Sequence, residues 1–214
     1  MKLVFLAWIF GPGCASSKDS NLELGECTLD AGYADPSPQA LSALNVSNCY
    51  RELMGLKPGS LDPKLDKASL AHAKYMSGED AIGHQETIGR PGFTGEWVWD
   101  RIVEAGYDYR PGTMVLEVVS EGHEPVEAVD SWMNSVYHRK PFTLPAWNAV
   151  GFGHSGAYSS MAFSAERPGG IRMAVIYPAN GQVGVNPRFD SDSEMPDPAP
   201  DHGVVGAPIT VTVS

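Results

Sequence analysis

At 214 residues and 43% hydrophobic content, the chain can form one globular domain with a substantial core and needs no second domain. Its 15 basic and 26 acidic residues give a formal charge of -11, and no stretch concentrates Lys and Arg. Because no basic stripe is available to neutralise phosphates, nucleic acid is excluded as an expected partner.

The first 15 residues have the pattern of an export signal. Met1-Lys2 supplies a short positive end, and residues 3–10 form an apolar run too short to cross a bilayer. The small residues that follow permit either cleavage after Ala15 or attachment of a lipid at Cys14. We therefore expect a secreted, extracellular protein, or a periplasmic or outer-surface lipoprotein whose route to a membrane is the anchor at Cys14.

The chain has three cysteines, so one cysteine remains without a partner if the other two form a disulfide in an oxidising compartment. If Cys14 is removed with the signal or acylated, Cys27 and Cys49 remain as a pair. A disulfide between them would close a loop of about 22 residues and stabilise the fold by roughly 3 kcal/mol. The alternative is two free thiols. Residues 16–37, rich in Ser, Asp, Gly and Pro, are predicted to be a tether that the bridge would pin to the domain.

Four helices are predicted from apolar residues at helical spacing and from their end signals. Thr94 is the expected cap of the third helix, and Gly78 is the expected end of the second. The predicted segments are 38–55, 62–78, 94–106 and a helix that starts at Pro125.

Strands are predicted mostly late in the chain, at 114–119, 149–154, 158–164 and 171–177. Helices first and strands later favour an α+β fold, with a mixed sheet covered by helices, over a regularly alternating βαβ fold. Residues 185–214 are predicted to be a Pro- and Asp-rich linker followed by one strand. That strand either adds to the main sheet or begins a further β domain.

Three ionisable residues occupy positions that favour a common polar cleft. His84 follows Gly83 in the loop between the second and third helices, where the backbone can turn sharply. Glu117 interrupts an apolar run, and a carboxylate there is costly unless it is paired or faces a wet cavity. His138 follows the fourth helix, near the end whose dipole favours a positive imidazolium.

Two histidines and a carboxylate allow three interpretations. His84, His138 and Glu117 can hold Zn²⁺ with an open position, or they can exchange protons near neutral pH. They can also satisfy one another as a purely structural cluster. Spacing does not decide among these, because the gaps are long and no H-E-x-x-H or C-x-x-C motif occurs.

Other polar residues are weaker candidates. His123 follows Glu117 closely enough to line the same cleft, whereas His72 lies on the apolar face of the second helix and is expected to be a hydrogen-bonded core residue. No nucleophile elbow, phosphate loop or dinucleotide fingerprint is found, and neither Cys27 nor Cys49 has a neighbouring base. The sequence therefore gives no evident nucleophile.

Taken in order, these segments resemble the bacterial type of the CAP superfamily, also called SCP-like or cysteine-rich secretory, antigen 5 and pathogenesis-related 1 domains. CYRELMGL and LDPKLDKASLAHAKYM resemble the two leading helices, and Gly83-His84 the first cleft histidine. TGEWVWDRIVEAGY resembles the third helix, and LEVV places Glu117 at the cleft glutamate. AVDSWMNSVYHR resembles the helix with the Trp and the second histidine, His138, and AVGFG and AVIYP resemble core strands. The resemblance covers about residues 38–184.

The resemblance implies an α-β-α sandwich whose central mixed or antiparallel sheet is flanked by helices. It also implies a central cleft, which in some members takes up a divalent metal such as zinc. Two features depart from the family pattern. Ser135 stands three positions after the helix Trp, where the family often has a second glutamate, and Arg139-Lys140 follow His138. A missing carboxylate and two added cations at the cleft disfavour both a metal site and a hydrolase.

The expected function is a secreted or surface-anchored binding module. Its cleft would hold a small-molecule, lipid, peptide or glycan ligand without converting it. The alternative is a divalent-metal-assisted hydrolase of peptide, ester or cell-wall substrates, which would use the same cleft with zinc as its cofactor.

Overall fold

The computed structural model describes residues 27–110, 112–165 and 173–213. The predicted export signal, the predicted lipidation site Cys14 and the first half of the predicted tether lie outside these residues. The helices are α1 (Pro38–Leu53), α2 (Pro63–Glu79), α3 (Val98–Glu104) and α4 (Pro125–Asn134). The strands are β1 (Ser60–Leu61), β2 (Met114–Glu121), β3 (Trp147–Ser155), β4 (Tyr158–Ala165), β5 (Ala174–Tyr177), β6 (Arg188–Asp190), β7 (Val204–Gly206) and β8 (Thr210–Val213).

Four strands form the main sheet in the order β1-β3-β4-β2. β1 runs parallel to β3, while β3 with β4 and β4 with β2 are antiparallel pairs. The sheet is therefore mixed, and helices cover both of its faces, so the fold is the α-β-α sandwich that the sequence predicts. β2 stands at one end of the strand order, which gives the sheet a free edge along the segment that carries Glu117.

The two faces of the sheet hold different cores because side chains alternate along each strand. Val150 and Phe152 of β3 enter the larger core under α1 and α4, together with Trp132. Gly151 and Gly153 face α2 instead, where a Cβ atom would lie 2.0 Å and 2.1 Å from backbone atoms of the helix. Two glycines therefore let α2 pack directly on the sheet backbone.

Two helix ends differ from the prediction. α2 continues through Gly78 to Glu79, and Asp80 takes the left-handed conformation with φ 51. α3 begins at Val98 instead of following a Thr94 cap. Thr94 contacts Glu86 instead, because its backbone N–H donates to the Glu86 carboxylate at 2.7 Å. Such pairings depend on tertiary contacts, so local capping rules do not find them.

The C-terminal segment is more ordered than a linker. β6 and β7 pair antiparallel around a single 3₁₀ turn, Ser191–Ser193. The last strand, β8, pairs with β5 in a separate two-stranded sheet and does not join the main one. The hydroxyls of Thr212 and Thr143 lie 2.7 Å apart, and Arg139 donates to the Pro208 carbonyl at 2.8 Å. The segment is thus attached to the residues that follow α4.

The predicted disulfide is confirmed, and it joins Cys27 to Cys49 within α1. Asn48 adds to the attachment, because its side-chain amide donates to the carbonyls of Thr28 and Gly59 at 2.9 and 3.0 Å. Within the described ranges, no helix has the length and apolar character that a membrane crossing requires.

Candidate functional site

A cleft of about 420 Å³ opens beside the free edge of β2. The three predicted site residues, His84, Glu117 and His138, all line it. Its other lining residues are Leu116, Val118, Tyr137, Lys140, Pro141, Ser193, Glu194 and Met195. The cleft volume lies in the range that takes a small ligand or a short chain segment.

Glu117 is held by donors from three directions. Arg101 of α3 donates through Nη2 to both carboxylate oxygens, at 2.6 and 2.7 Å. His84 Nδ1 lies 3.0 Å from Oε2, and the Ser160 hydroxyl donates to Oε1 at 3.2 Å. Burial acts to raise the pKa of the Glu117 carboxyl, but the bond from His84 and the Arg101 charge outweigh it and hold the pKa below its usual value. Glu117 is therefore a buried, fully compensated anion.

A second buried pair lies beneath this one. His72 and Glu86 are both fully buried, with His72 Nδ1 2.9 Å from Glu86 Oε1. Burial acts to raise the pKa of the Glu86 carboxyl, but bonds from His72 and Thr94, with the charge of Arg101, lower it overall. The other nitrogen of His72, Nε2, lies 2.8 Å from the Gly83 carbonyl. Both ring nitrogens of His72 therefore face hydrogen-bond acceptors.

This lower layer positions His84. His72 fixes the Gly83 carbonyl, and Arg101 Nη1 donates to the His84 carbonyl at 3.0 Å. With its backbone held on both sides and Nδ1 donating to ionised Glu117, His84 has Nε2 as its remaining nitrogen. The His84 side chain is 46% exposed, so that nitrogen is available to a ligand.

His138 is held differently, by the turn that ends α4. The Ser135 hydroxyl accepts from the His138 backbone N–H at 3.0 Å and lies 2.7 Å from the ring nitrogen Nδ1. Burial lowers the pKa of His138; Glu194 opposes the shift and His84 adds to it. The ring is therefore neutral at pH 7, Ser135 donates to Nδ1, and Nε2 carries the hydrogen.

Glu194 of the C-terminal segment lies beside His138. Its Oε1 accepts from the Val136 backbone N–H at 3.0 Å, and its Oε2 lies 3.8 Å from His138 Nδ1. Oε2 is buried and has no hydrogen-bond partner among the described residues. A carboxylate thus stands behind His138 as Glu117 stands behind His84, but it comes from a segment that the sequence analysis treats as a linker.

The two weaker candidates are placed behind or away from the cleft. Ser135 holds His138 from behind and does not line the cleft, and neither does His123, in the loop before α4. His72 is the hydrogen-bonded core histidine that the sequence predicts. Glu86 and Glu194 are missed by the sequence analysis, because nothing in their local sequence indicates burial.

The predicted zinc ligands do not fit a shared ion in this arrangement. Both oxygens of Glu117 are occupied by donors, and the Arg101 guanidinium sits directly against them. Among the described residues, no group of three or more His, Cys, Asp or Glu side chains is arranged to hold a metal ion. A cation near Glu117 would have to displace Arg101, which is 1% exposed.

Comparison with known proteins identifies the sandwich. The family model described as the cysteine-rich secretory protein family, CAP, matches residues 44–165. An uncharacterized protein, YkwD, of Bacillus subtilis (strain 168) is 30% identical over 125 residues, which cover 55% of this chain and 45% of that protein. This chain therefore aligns with less than half the length of that curated relative.

One solved structure shows the same fold at lower identity, and a second is similar with a lower TM-score. An extracellular protein containing an SCP domain from Bacillus anthracis superimposes with a TM-score of 0.53 and 16% identity, over 63% of this chain and 45% of that one. An outer surface protein of Borrelia burgdorferi gives a TM-score of 0.46 and 17% identity, over 58% of this chain and 90% of that one. The cleft residues His84, Glu117 and His138, and the buried Arg101 behind Glu117, lie inside the family match, whereas the cleft residue Glu194 lies outside it.

Proposed function

This chain belongs to the cysteine-rich secretory protein (CAP) family, and we propose that it is an exported binding module whose cleft holds a ligand without converting it. The observation that carries the proposal is the placement of a hydroxyl and a carboxylate on the same side of the His138 ring. Ser135 Oγ and Glu194 Oε2 both approach the same nitrogen, Nδ1. A nucleophile relay needs the hydroxyl and the acid on opposite ring nitrogens, so this arrangement cannot activate Ser135.

The rest of the cleft supports binding in the same way. Glu117 has the residue type of a general base, but its oxygens accept from Arg101, His84 and Ser160 and its pKa is lowered. A base of that kind is too weak for proton abstraction near neutral pH. His84 Nε2 and His138 Nε2–H instead offer one acceptor and one donor to a ligand.

Export is proposed from three observations. The first 15 residues have the pattern of an export signal, and the Cys27–Cys49 disulfide is typical of an oxidising compartment. The Bacillus anthracis protein of the same fold is extracellular. Secretion and a lipid anchor at Cys14 are separated by mass spectrometry of the mature protein, which would show acylation of Cys14 only in the second case.

The binding proposal is tested with the full mature chain. We expect no hydrolysis of peptide, ester or glycan substrates above background, in wild type or in His84→Ala. Hydrolysis by wild type that disappears in His84→Ala would refute binding without turnover. The exposed Lys67→Ala variant is the matched control for preparation-dependent activity.

Zinc binding is tested by calorimetric titration of the same protein. Because Arg101 occupies the face of Glu117, we expect no saturable uptake at micromolar zinc. Stoichiometric uptake that is lost in the His84→Ala/His138→Ala double variant would favour the metal-assisted hydrolase instead.

A further inference from the structure

The backbone of β2 alternates between groups bound to β4 and groups that point away from it. In an antiparallel pair, every second residue exchanges both of its hydrogen bonds with the partner strand. Gly122, which continues the register of β2, donates its N–H to the Ala157 carbonyl of the β4 side at 2.8 Å. Even-numbered residues of β2 therefore face β4, and Val115, Glu117 and Val119 direct their N–H and C=O groups toward the free edge.

One of these outward groups confirms the direction. The Trp132 indole N–H of α4 donates to the Val119 carbonyl at 2.9 Å, which closes the edge at that end. Val115 and Glu117 have no such cover, because no described residue bonds to their backbone N–H or C=O on this side. Unpaired backbone groups at a sheet edge are a template for another strand.

The open edge enters the cleft at Glu117, and Val115 lies two residues before it on the same edge. Glu117 lines the cleft between His84 on one wall and Tyr137, His138, Lys140 and Pro141 on the other. Leu116 and Val118 add apolar surface on the larger-core side of the sheet. An added strand would lie between the two walls, with its alternate side chains directed at each of them.

Charge favours one class of chain segment. The groups that a ligand can reach are nitrogen-bearing, since the His84 and His138 side chains are 46% and 38% exposed. The two carboxylates, Glu117 and Glu194, are recessed, at 4% and 3% exposed. Lys140 lines the cleft, and no described carboxylate lies within ion-pair distance of it. A carboxylate on the ligand would complement Lys140 and the Nε2–H of His138, while an N–H of the ligand would complement the acceptor Nε2 of His84.

We propose that the cleft takes up an extended acidic peptide, which pairs its backbone with Val115 and Glu117 and adds to the sheet as a strand beside β2. The proposal rests on the proposed function, because it names the ligand class of the same cleft. The peptide backbone provides affinity, while an acidic side chain or the C-terminal carboxylate contacts Lys140.

The test uses the ¹⁵N-labelled mature chain and two pools of acetylated, amidated hexapeptides. One pool carries Asp or Glu at alternate positions, and the other carries Lys or Arg at the same positions. We expect the acidic pool to shift the amide resonances of Val115 and Glu117 and the imidazole resonances of His84 and His138. A third pool with free C-termini and no acidic side chains shows which carboxylate is recognised.

The strongest acidic peptide is then N-methylated at one amide at a time. Each methyl group on an amide that faces β2 should weaken binding about tenfold through one lost hydrogen bond, and methyl groups at the alternate positions should not. On the protein, Val115→Pro removes an outward N–H without removing a bond to β4, and Val115→Ala is the matched control that keeps the N–H. We expect only the proline variant to lose affinity.

Several outcomes would overturn the proposal. Equal effects of N-methylation at all positions, or no response to any pool at millimolar peptide, would exclude strand pairing. Imidazole shifts without shifts at Val115 and Glu117 would exclude it while leaving the proposed function intact. Shifts at Val115 that depend on protein concentration alone would assign the edge to a second copy of the chain. Cleavage of the bound peptide would refute the proposed function and leave strand pairing standing.

Discussion

The two walls of the cleft each place a buried carboxylate behind a half-exposed imidazole, but they differ in how that carboxylate is compensated. In the His84 wall (His72, His84, Glu86, Arg101, Glu117), Arg101 lies against both carboxylates and both oxygens of Glu117 are hydrogen-bonded. In the His138 wall (Ser135, His138, Glu194), one oxygen of Glu194 has no partner among the described residues. The Glu117 carboxylate of the His84 wall is thus fully hydrogen-bonded, whereas the Glu194 carboxylate of the His138 wall keeps one oxygen without a hydrogen bond.

The difference follows the boundary of the family match. Every member of the His84 wall lies within residues 44–165, whereas Glu194 comes from the C-terminal segment outside them. The matched domain therefore supplies a half-site whose buried carboxylates are hydrogen-bonded, and the C-terminal segment supplies a carboxylate to the other half. The charges around the cleft of this chain therefore depend in part on the C-terminal segment, which the family match does not cover.

The largest expected effect tests the completeness of the His84 wall. Arg101→Met removes the cation that contacts Glu117 and Glu86 and leaves buried charge uncompensated, so the free energy of unfolding should fall by about 3–5 kcal/mol. Urea unfolding at pH 7 measures the loss. Arg90→Met is the matched control, because its ion pair with Glu79 is exposed and should contribute less than about 1 kcal/mol. Equal losses in the two variants would contradict the distinction between the walls.

A smaller effect is expected from the incomplete wall. Glu194 raises the pKa of His138 against the effect of burial, so Glu194→Gln should lower that pKa further. The amide oxygen can still accept from Val136, so stability at pH 7 should change by less than about 1 kcal/mol. NMR titration of the His138 ring measures the shift. Asp192→Asn, in the same segment, is the control, and an unchanged His138 pKa in Glu194→Gln would show that the carboxylate does not act on the ring.

Glu194→Gln should also change how the free energy of unfolding depends on pH. His138 has a pKa below its ordinary value of 6.5, so the unfolded chain binds more protons and stability falls as pH drops below about 6.5. Glu194→Gln should enlarge that loss. Glu117 and Glu86 have lowered pKa values, so their contribution is present above about 4.5 and is lost as pH falls through the folded values. The difference in urea midpoint between wild type and Glu194→Gln should therefore widen as pH falls below about 6.5 and stay constant in the lower window. The buried Asp66 carboxyl, whose pKa is raised to about 6, acts alike in both proteins and cancels from this difference.

The smallest effect is expected at Ser135. Ser135→Ala removes the hydroxyl that bonds to the His138 ring and backbone N–H, which should cost about 1 kcal/mol and release the preference for hydrogen on Nε2. Nitrogen chemical shifts of the ring report the tautomer. Ser131→Ala, a similar change in the last turn of α4 that does not touch His138, should leave those shifts unchanged.

Most of the fold follows from local patterns in the sequence. The Asp62 cap with Pro63 is a signal that acts over a few residues, and α2 begins where this signal places it. α3 starts later than its Thr94 signal because Thr94 is bound to Glu86, a contact across eight residues. The local signal was present, but a tertiary contact outweighed it.

The candidate site likewise has residues that local sequence signals indicate and residues that only tertiary contacts place. Glu117 is noticeable because a carboxylate in an apolar strand needs compensation, and the ordered family resemblance brings His84 and His138 to it. Glu194 sits in a polar stretch where acidic residues are ordinarily solvated, so nothing local marks it as 5% exposed. Its burial depends on the β6–β7 pair folding back on the turn after α4, which residue patterns do not encode.

The disulfide also determines where mechanical tension would enter the domain. Any pull on the chain before Cys27 passes through the covalent bridge to Cys49 and so to the C-terminal half of α1. α1 is packed on α4 and the sheet, so the force is spread over the larger core and not over the cleft. A protein held at its N-terminus could therefore be stretched at its attachment while the geometry of His84 and His138 stays unchanged, and reduction of the bridge would remove that protection.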